Sequence, residues 1–74
     1  MAVTELDAKG LRCPQPIMKM SAKLMQLQSG DILEVVADCP TFEDDVRKWC
    51  ERLKKTLLWI RDEGGGAKKV QIQI

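Results

Sequence analysis

An α+β fold, a two-layer sandwich in the order β-α-β-α-β-β, is predicted by three features of the 74-residue chain. Four segments have strand patterning, two have an apolar stripe at helical spacing, and a proline opens each helical segment. Each helix must bury its stripe against the sheet, and a β-α-β crossover is right-handed. Both helices are therefore expected on one face of a four-stranded mixed sheet.

Val3-Thr4-Glu5-Leu6-Asp7 alternates at period two and reads as the first strand. Gly10 lies in the loop that follows, where a positive φ is available to it. In Cys13-Pro14-Gln15-Pro16, the proline disfavours helical geometry at the residue before it and is tolerated in a first helical turn. Cys13 is thus expected at or just before a helix N-terminus. Ile17, Met20, Leu24 and Leu27 mark one face of that helix, Met18 and Met25 widen it, and Ser29-Gly30 is the expected stop. Ile32 to Ala37 is nearly continuously apolar and β-branched, as a central strand should be.

The second helix is expected to start near Cys39-Pro40-Thr41. Thr41 and Asp44 have the spacing of a capping box, and Glu43 and Asp45 suit the positive end of the helix dipole. Phe42, Val46, Trp49, Cys50 and Leu53 form its apolar stripe, and Lys54 and Lys55 its cationic end. Leu57 to Arg61 and Val70 to Ile74 read as two strands of a hairpin turning at Gly64-Gly65-Gly66. That glycine run lacks the Lys-Ser/Thr of a phosphate loop.

The length implies one domain, residues 1–74, with a core of ordinary aliphatic packing, since 45% of residues are hydrophobic. Three widely spaced cysteines do not suggest a secreted disulfide scaffold, and without histidine or a CxxC pair no metal site is expected. Twelve basic and eleven acidic residues are interleaved to a net charge of +1, with no basic patch for nucleic acid. Apolar runs such as Leu57–Ile60 are far below the ~20 residues of a membrane span. Met1 to Gly10 has no signal-peptide pattern, and free cysteines suit a reducing compartment, so a cytoplasmic location is expected.

Cys13 is the residue to which chemistry points. Thiols react as thiolates, and an isolated cysteine with a pKa of about 8.5 is mostly protonated at neutral pH. Unpaired N–H groups and the dipole at a helix start favour the anion, and Lys9 and Arg12 add positive charge. Pro14 keeps the sulfur at that end, while Pro16 stiffens the first turn but removes one donor. A free cysteine is also commonly just a small buried hydrophobe, and the residues alone leave both readings open.

The run Leu6 to Ile17, containing Cys13-Pro14-Gln15-Pro16, resembles the signature of the TusA/SirA family of small sulfur carriers. The resemblance extends through the Gly30-Asp31 turn, the apolar strand, an acid-rich second helix with Trp49-Cys50, and the closing hairpin. It implies a sandwich like the C-terminal domain of translation initiation factor three. It implies further that Cys13 takes sulfur as a persulfide from a donor protein, a cysteine desulfurase or rhodanese-like protein, and passes it to an acceptor sulfurtransferase. Such exchange needs no cofactor. The relay could serve tRNA thiolation, cofactor assembly or oxidative sulfur metabolism.

Asp38-Cys39-Pro40 departs from the family's usual Asp-Pro. Cys13 and Cys39 both follow strands expected to be parallel, so Cys39 is a candidate second thiol; a passive loop residue is the simpler expectation. Cys50 belongs to the apolar stripe and reads as core, as do Met18, Met20 and Met25. Two other functions fit less well: a non-catalytic regulatory or RNA-interaction module, and a dithiol oxidoreductase, which would be expected to show a CxxC pair.

Overall fold

A computed structural model describes residues 2–74 and has an α+β fold with the expected element order. The elements are β1 (Val3–Asp7), α1 (Gln15–Leu24), β2 (Ile32–Ala37), α2 (Phe42–Leu53), β3 (Thr56–Gly64) and β4 (Ala67–Gln73). The sheet runs β1-β2-β4-β3, with β1 parallel to β2 and the other two pairings antiparallel.

Alternation along the central strands builds the core. Leu33, Val35 and Ala37 of β2 are buried, as are Val70 and Ile72 of β4, and the register sets Leu33 beside Ile72 and Val35 beside Val70. Met20 of α1 and Phe42, Val46, Trp49 and Cys50 of α2 close over that face. Burying each large apolar side chain there contributes about 1.5–3 kcal/mol. The indole N–H of Trp49 donates to Ser21 Oγ at 3.0 Å and ties the two helices together.

In β3, Leu57-Leu58-Trp59-Ile60 does not alternate, and a register shift between Leu57 and Trp59 resolves the conflict. Leu57 pairs with Ile72 and Ile60 with Val70, so both pack on the core although three positions apart. A bulge adds one residue and re-aims those after it. Leu58 is left exposed, and Trp59 lies on the opposite face with the Arg61 guanidinium 5.0 Å from its ring centre. That face has a polar surface in which Lys69 reaches Glu63 at 3.3 Å and Gln71 donates to Glu34 at 2.9 Å.

Three local expectations are corrected. Helix α1 ends at Leu24, before Ser29-Gly30, because the following segment makes its own turn: Gln28 N–H donates to Asp31 Oδ2 and Asp31 N–H to the Gln28 carbonyl. Met18 and Met25 are exposed, at 64% and 88%, and of the described methionines Met20 alone fills the core. The Thr41–Asp44 capping box does not form. Thr41 is the N-cap of α2, but its hydroxyl makes no bond to the helix backbone.

Candidate functional site

The parallel pair β1 and β2 ends at one edge of the sheet, and both thiol-bearing loops leave from there. The ladder pairs Asp7 with Val36 and continues with Ala8 N–H donating to the Val36 carbonyl at 2.7 Å. Beyond it, Gly10 takes a φ of +82°, open to glycine, and its N–H donates to Asp38 Oδ1 at 3.0 Å. That bond draws together loops 28 residues apart in sequence. Cys13 and Cys39 therefore converge: their Cα atoms are 5.7 Å apart and the two are joined as a disulfide. A separation of about 5.5–6 Å is the commonest for bridged cysteines. The common sheet edge expected for the two cysteines is thus the observed one, and they lie within bridging range.

The two sulfurs differ in access. Cys39 is 6% exposed and belongs to the core, whereas Cys13 is half-buried and lies at its margin. A partner approaching this edge meets Cys13 first. Cys50 is buried in α2, and burial pushes its thiol pKa up, consistent with a packing role.

Local structure at Cys13 modifies the helix-start expectation. Gln15 N–H donates to the Arg12 carbonyl at 2.7 Å, and Gln15 Oε1 accepts from Arg12 N–H at 3.3 Å. Pro16 has no N–H, so the first turn of α1 offers little to an anion. Pro14 is the exposed N-cap, joined to Cys13 through a cis peptide, and Pro16 is buried in the core. The side chains of Arg12 and Lys9 are exposed and enter no ion pair among the described residues.

Thr41 supplies what α1 does not. Its Oγ1 lies 3.0 Å from Cys13 Sγ, 2.9 Å from Asp45 Oδ2 and 3.7 Å from Cys39 Sγ. A hydroxyl has one proton, so Thr41 donates either to Cys13 or to Asp45. The Asp45 carboxylate and a sulfur anion on Cys13 are both charged acceptors, and they compete for that one proton. The sequence suggests only a capping role for Thr41 and a favourable place on the helix dipole for Asp45. The signal was the hydroxyl two residues after Cys39, but its direction depends on loop convergence.

Cys13, Cys39 and Asp45 hold three potential metal-ligand atoms within 4.8 Å of one another, the only such group among the described residues. This set was not anticipated. It offers two soft thiolates and one carboxylate in the reduced protein, and the bridge consumes both thiolates. Beside it, a shallow hollow of about 150 Å³ is lined by Pro14, Ile17, Asp45, Lys48, Trp49 and Arg52. No described helix is long and apolar enough to cross a membrane.

The protein-family profile "Sulfurtransferase TusA" matches residues 4–74. Two curated relatives, the proteins named Sulfur carrier protein TusA from Pseudomonas putida (strain W619) and Pseudomonas entomophila (strain L48), are each 38% identical over 60 residues. Those residues are 81% of this chain and 75% of each relative. Similarity this broad, running from the first strand through the last, makes the chain a member of the TusA family of sulfur carrier proteins.

Proposed function

We propose that Cys13 is the sulfur-bearing residue and that it works as a persulfide in a relay between two proteins. The observation behind this reading is the asymmetry at the sheet edge: Cys13 is the accessible thiol, within hydrogen-bond reach of the Thr41 hydroxyl, in a chain of the TusA family. Loading is thiol exchange. The Cys13 thiolate attacks the outer sulfur of a donor persulfide, that sulfur's bond to the donor breaks, and the donor cysteine leaves as thiolate. Unloading reverses the roles: an acceptor thiolate takes the outer sulfur and the Cys13 thiolate leaves. Nothing is oxidised or reduced overall, so the cycle needs no cofactor.

Thr41 steadies the anion whenever charge rests on Cys13. Donors of the cysteine desulfurase or rhodanese-like class, an acceptor sulfurtransferase and a cytoplasmic setting complete the reading. tRNA thiolation, cofactor assembly and oxidative sulfur metabolism are the relays that such a carrier serves.

Mass spectrometry tests it. The reduced protein, incubated with a cysteine desulfurase and cysteine, should gain one sulfur atom, and Cys13→Ser should gain none while keeping its circular dichroism. Full loading of Cys13→Ser removes Cys13 from the mechanism. A non-catalytic regulatory or RNA-interaction module would load neither protein.

A further inference from the structure

We propose that Cys39 is a resolving thiol: it discharges a persulfide on Cys13 as hydrosulfide and leaves the Cys13–Cys39 disulfide. This rests on the persulfide reading of Cys13 and adds to it a second outcome, reductive release of the sulfur.

Three observations support it. The 5.7 Å Cα separation lets the two sulfurs bond. The contact is built in by the fold, since the Gly10–Asp38 bond and the parallel β1–β2 pair hold both loops at one edge. Cys39 is nearly buried behind Cys13, where no partner protein reaches it but Cys13 does.

Burial also selects the sulfur attacked. Transfer of the outer atom would strand a persulfide on Cys39, away from any acceptor. Attack on the inner atom, the sulfur of Cys13 itself, needs only the approach that the 5.7 Å Cα separation allows. In that step the Cys39 sulfur bonds to Cys13 Sγ, the bond between Cys13 Sγ and the outer sulfur breaks, and the outer sulfur leaves with the Cys39 proton as HS⁻. The outer sulfur is reduced, and the two cysteine thiols together are oxidised to the disulfide. The thiolate on which loading depends is then consumed, so the carrier stays closed until an external dithiol reduces the bridge. A loaded protein that meets an acceptor passes its sulfur on; one that does not releases sulfide and shuts itself off.

The experiment uses the full chain, reduced, freed of reductant and loaded with a cysteine desulfurase and cysteine. After the desulfurase is removed, intact mass and sulfide are followed over time. The wild type should lose the added sulfur, release one equivalent of sulfide and end two hydrogens lighter than the reduced protein, with Cys13 and Cys39 in one bridged peptide. Cys39→Ser should load equally and keep its persulfide at least about tenfold longer, because its resolving nucleophile is gone. Cys39→Ala, with circular dichroism on both variants, guards against a folding defect at this buried position. Equal persulfide lifetimes in wild type and both variants, or sulfide release without the bridge, overturn the proposal while leaving Cys13 as carrier. Failure of all three proteins to load overturns the carrier reading and this inference with it.

Discussion

Reducing the Cys13–Cys39 bridge should weaken the fold by an amount set by the loop it closes. The two cysteines are 26 residues apart. In the chain-entropy account, a loop of that length removes about 12 cal/mol/K from the unfolded ensemble, or about 3.5 kcal/mol at 25 °C. The total stability expected for 74 residues is about 4–11 kcal/mol. The bridge therefore accounts for a third of it or more. At about 4–8 °C per kcal/mol for a domain of this size, the oxidised protein should melt about 14–28 °C above the reduced one. Thermal and urea unfolding with and without dithiothreitol measure this, with Cys39→Ser as a control that the reductant should not affect. The urea slope should also be smaller for the bridged form, whose unfolded chain exposes less surface. Oxidised and reduced wild type melting within about 5 °C would refute the reasoning, since no cross-link across this loop could then be restricting the unfolded chain.

Thr41→Val keeps the shape of the side chain and removes the hydroxyl on Cys13, so iodoacetamide should alkylate Cys13 in the reduced protein about tenfold more slowly at neutral pH, the worth of one hydrogen bond to a charged group; an unchanged rate would show that the hydroxyl belongs to Asp45 alone. Trp49→Phe loses the bond to Ser21 and part of a fully buried ring, a cost of about 1–3 kcal/mol in urea denaturation. A double-mutant cycle with Ser21→Ala should show non-additivity, and strict additivity would mean the bond contributes nothing. Glu43 is held below its ordinary 4.5 chiefly by its hydrogen bond from Lys68, so its stabilisation is complete above pH 4.5 and lost as pH falls through the depressed native value. Lys68→Met should therefore be less stable than wild type at pH 7, with the gap closing in acid and shrinking in high salt; a gap independent of pH would point to lost packing instead.

The fold was legible in the sequence because its signals are local. Period-two alternation at Val3–Asp7, the β-branched run Ile32–Ala37, and the helical stripe from Phe42 to Cys50 each reflect one element burying one face, and the structure has all three. Cys13 ahead of a helix start was legible for the same reason, because proline restricts its neighbour whatever the rest of the chain does. The misreadings lay where local signals compete with distant ones. Met18 and Met25 were expected to widen the helical stripe, yet each lies about 100° round the helix from a stripe residue, Ile17 or Leu24, and is left on the exposed flank. Thr41 and Asp44 fit a capping box, yet the Thr41 hydroxyl is taken by partners from another loop and the next helical turn.

By itself, then, the sequence determined the element order, the family resemblance and the place of Cys13 just ahead of a helix start. Only tertiary structure decided that Cys39 joins it. Two parallel strands alone would hold their following loops in either of two ways, apart or together. The Gly10–Asp38 bond, across 28 residues, and the Cys13–Cys39 bridge join them here. Register and loop closure are properties of the assembled sheet, and no short window of sequence, of the length of one strand or helix, contains both cysteines.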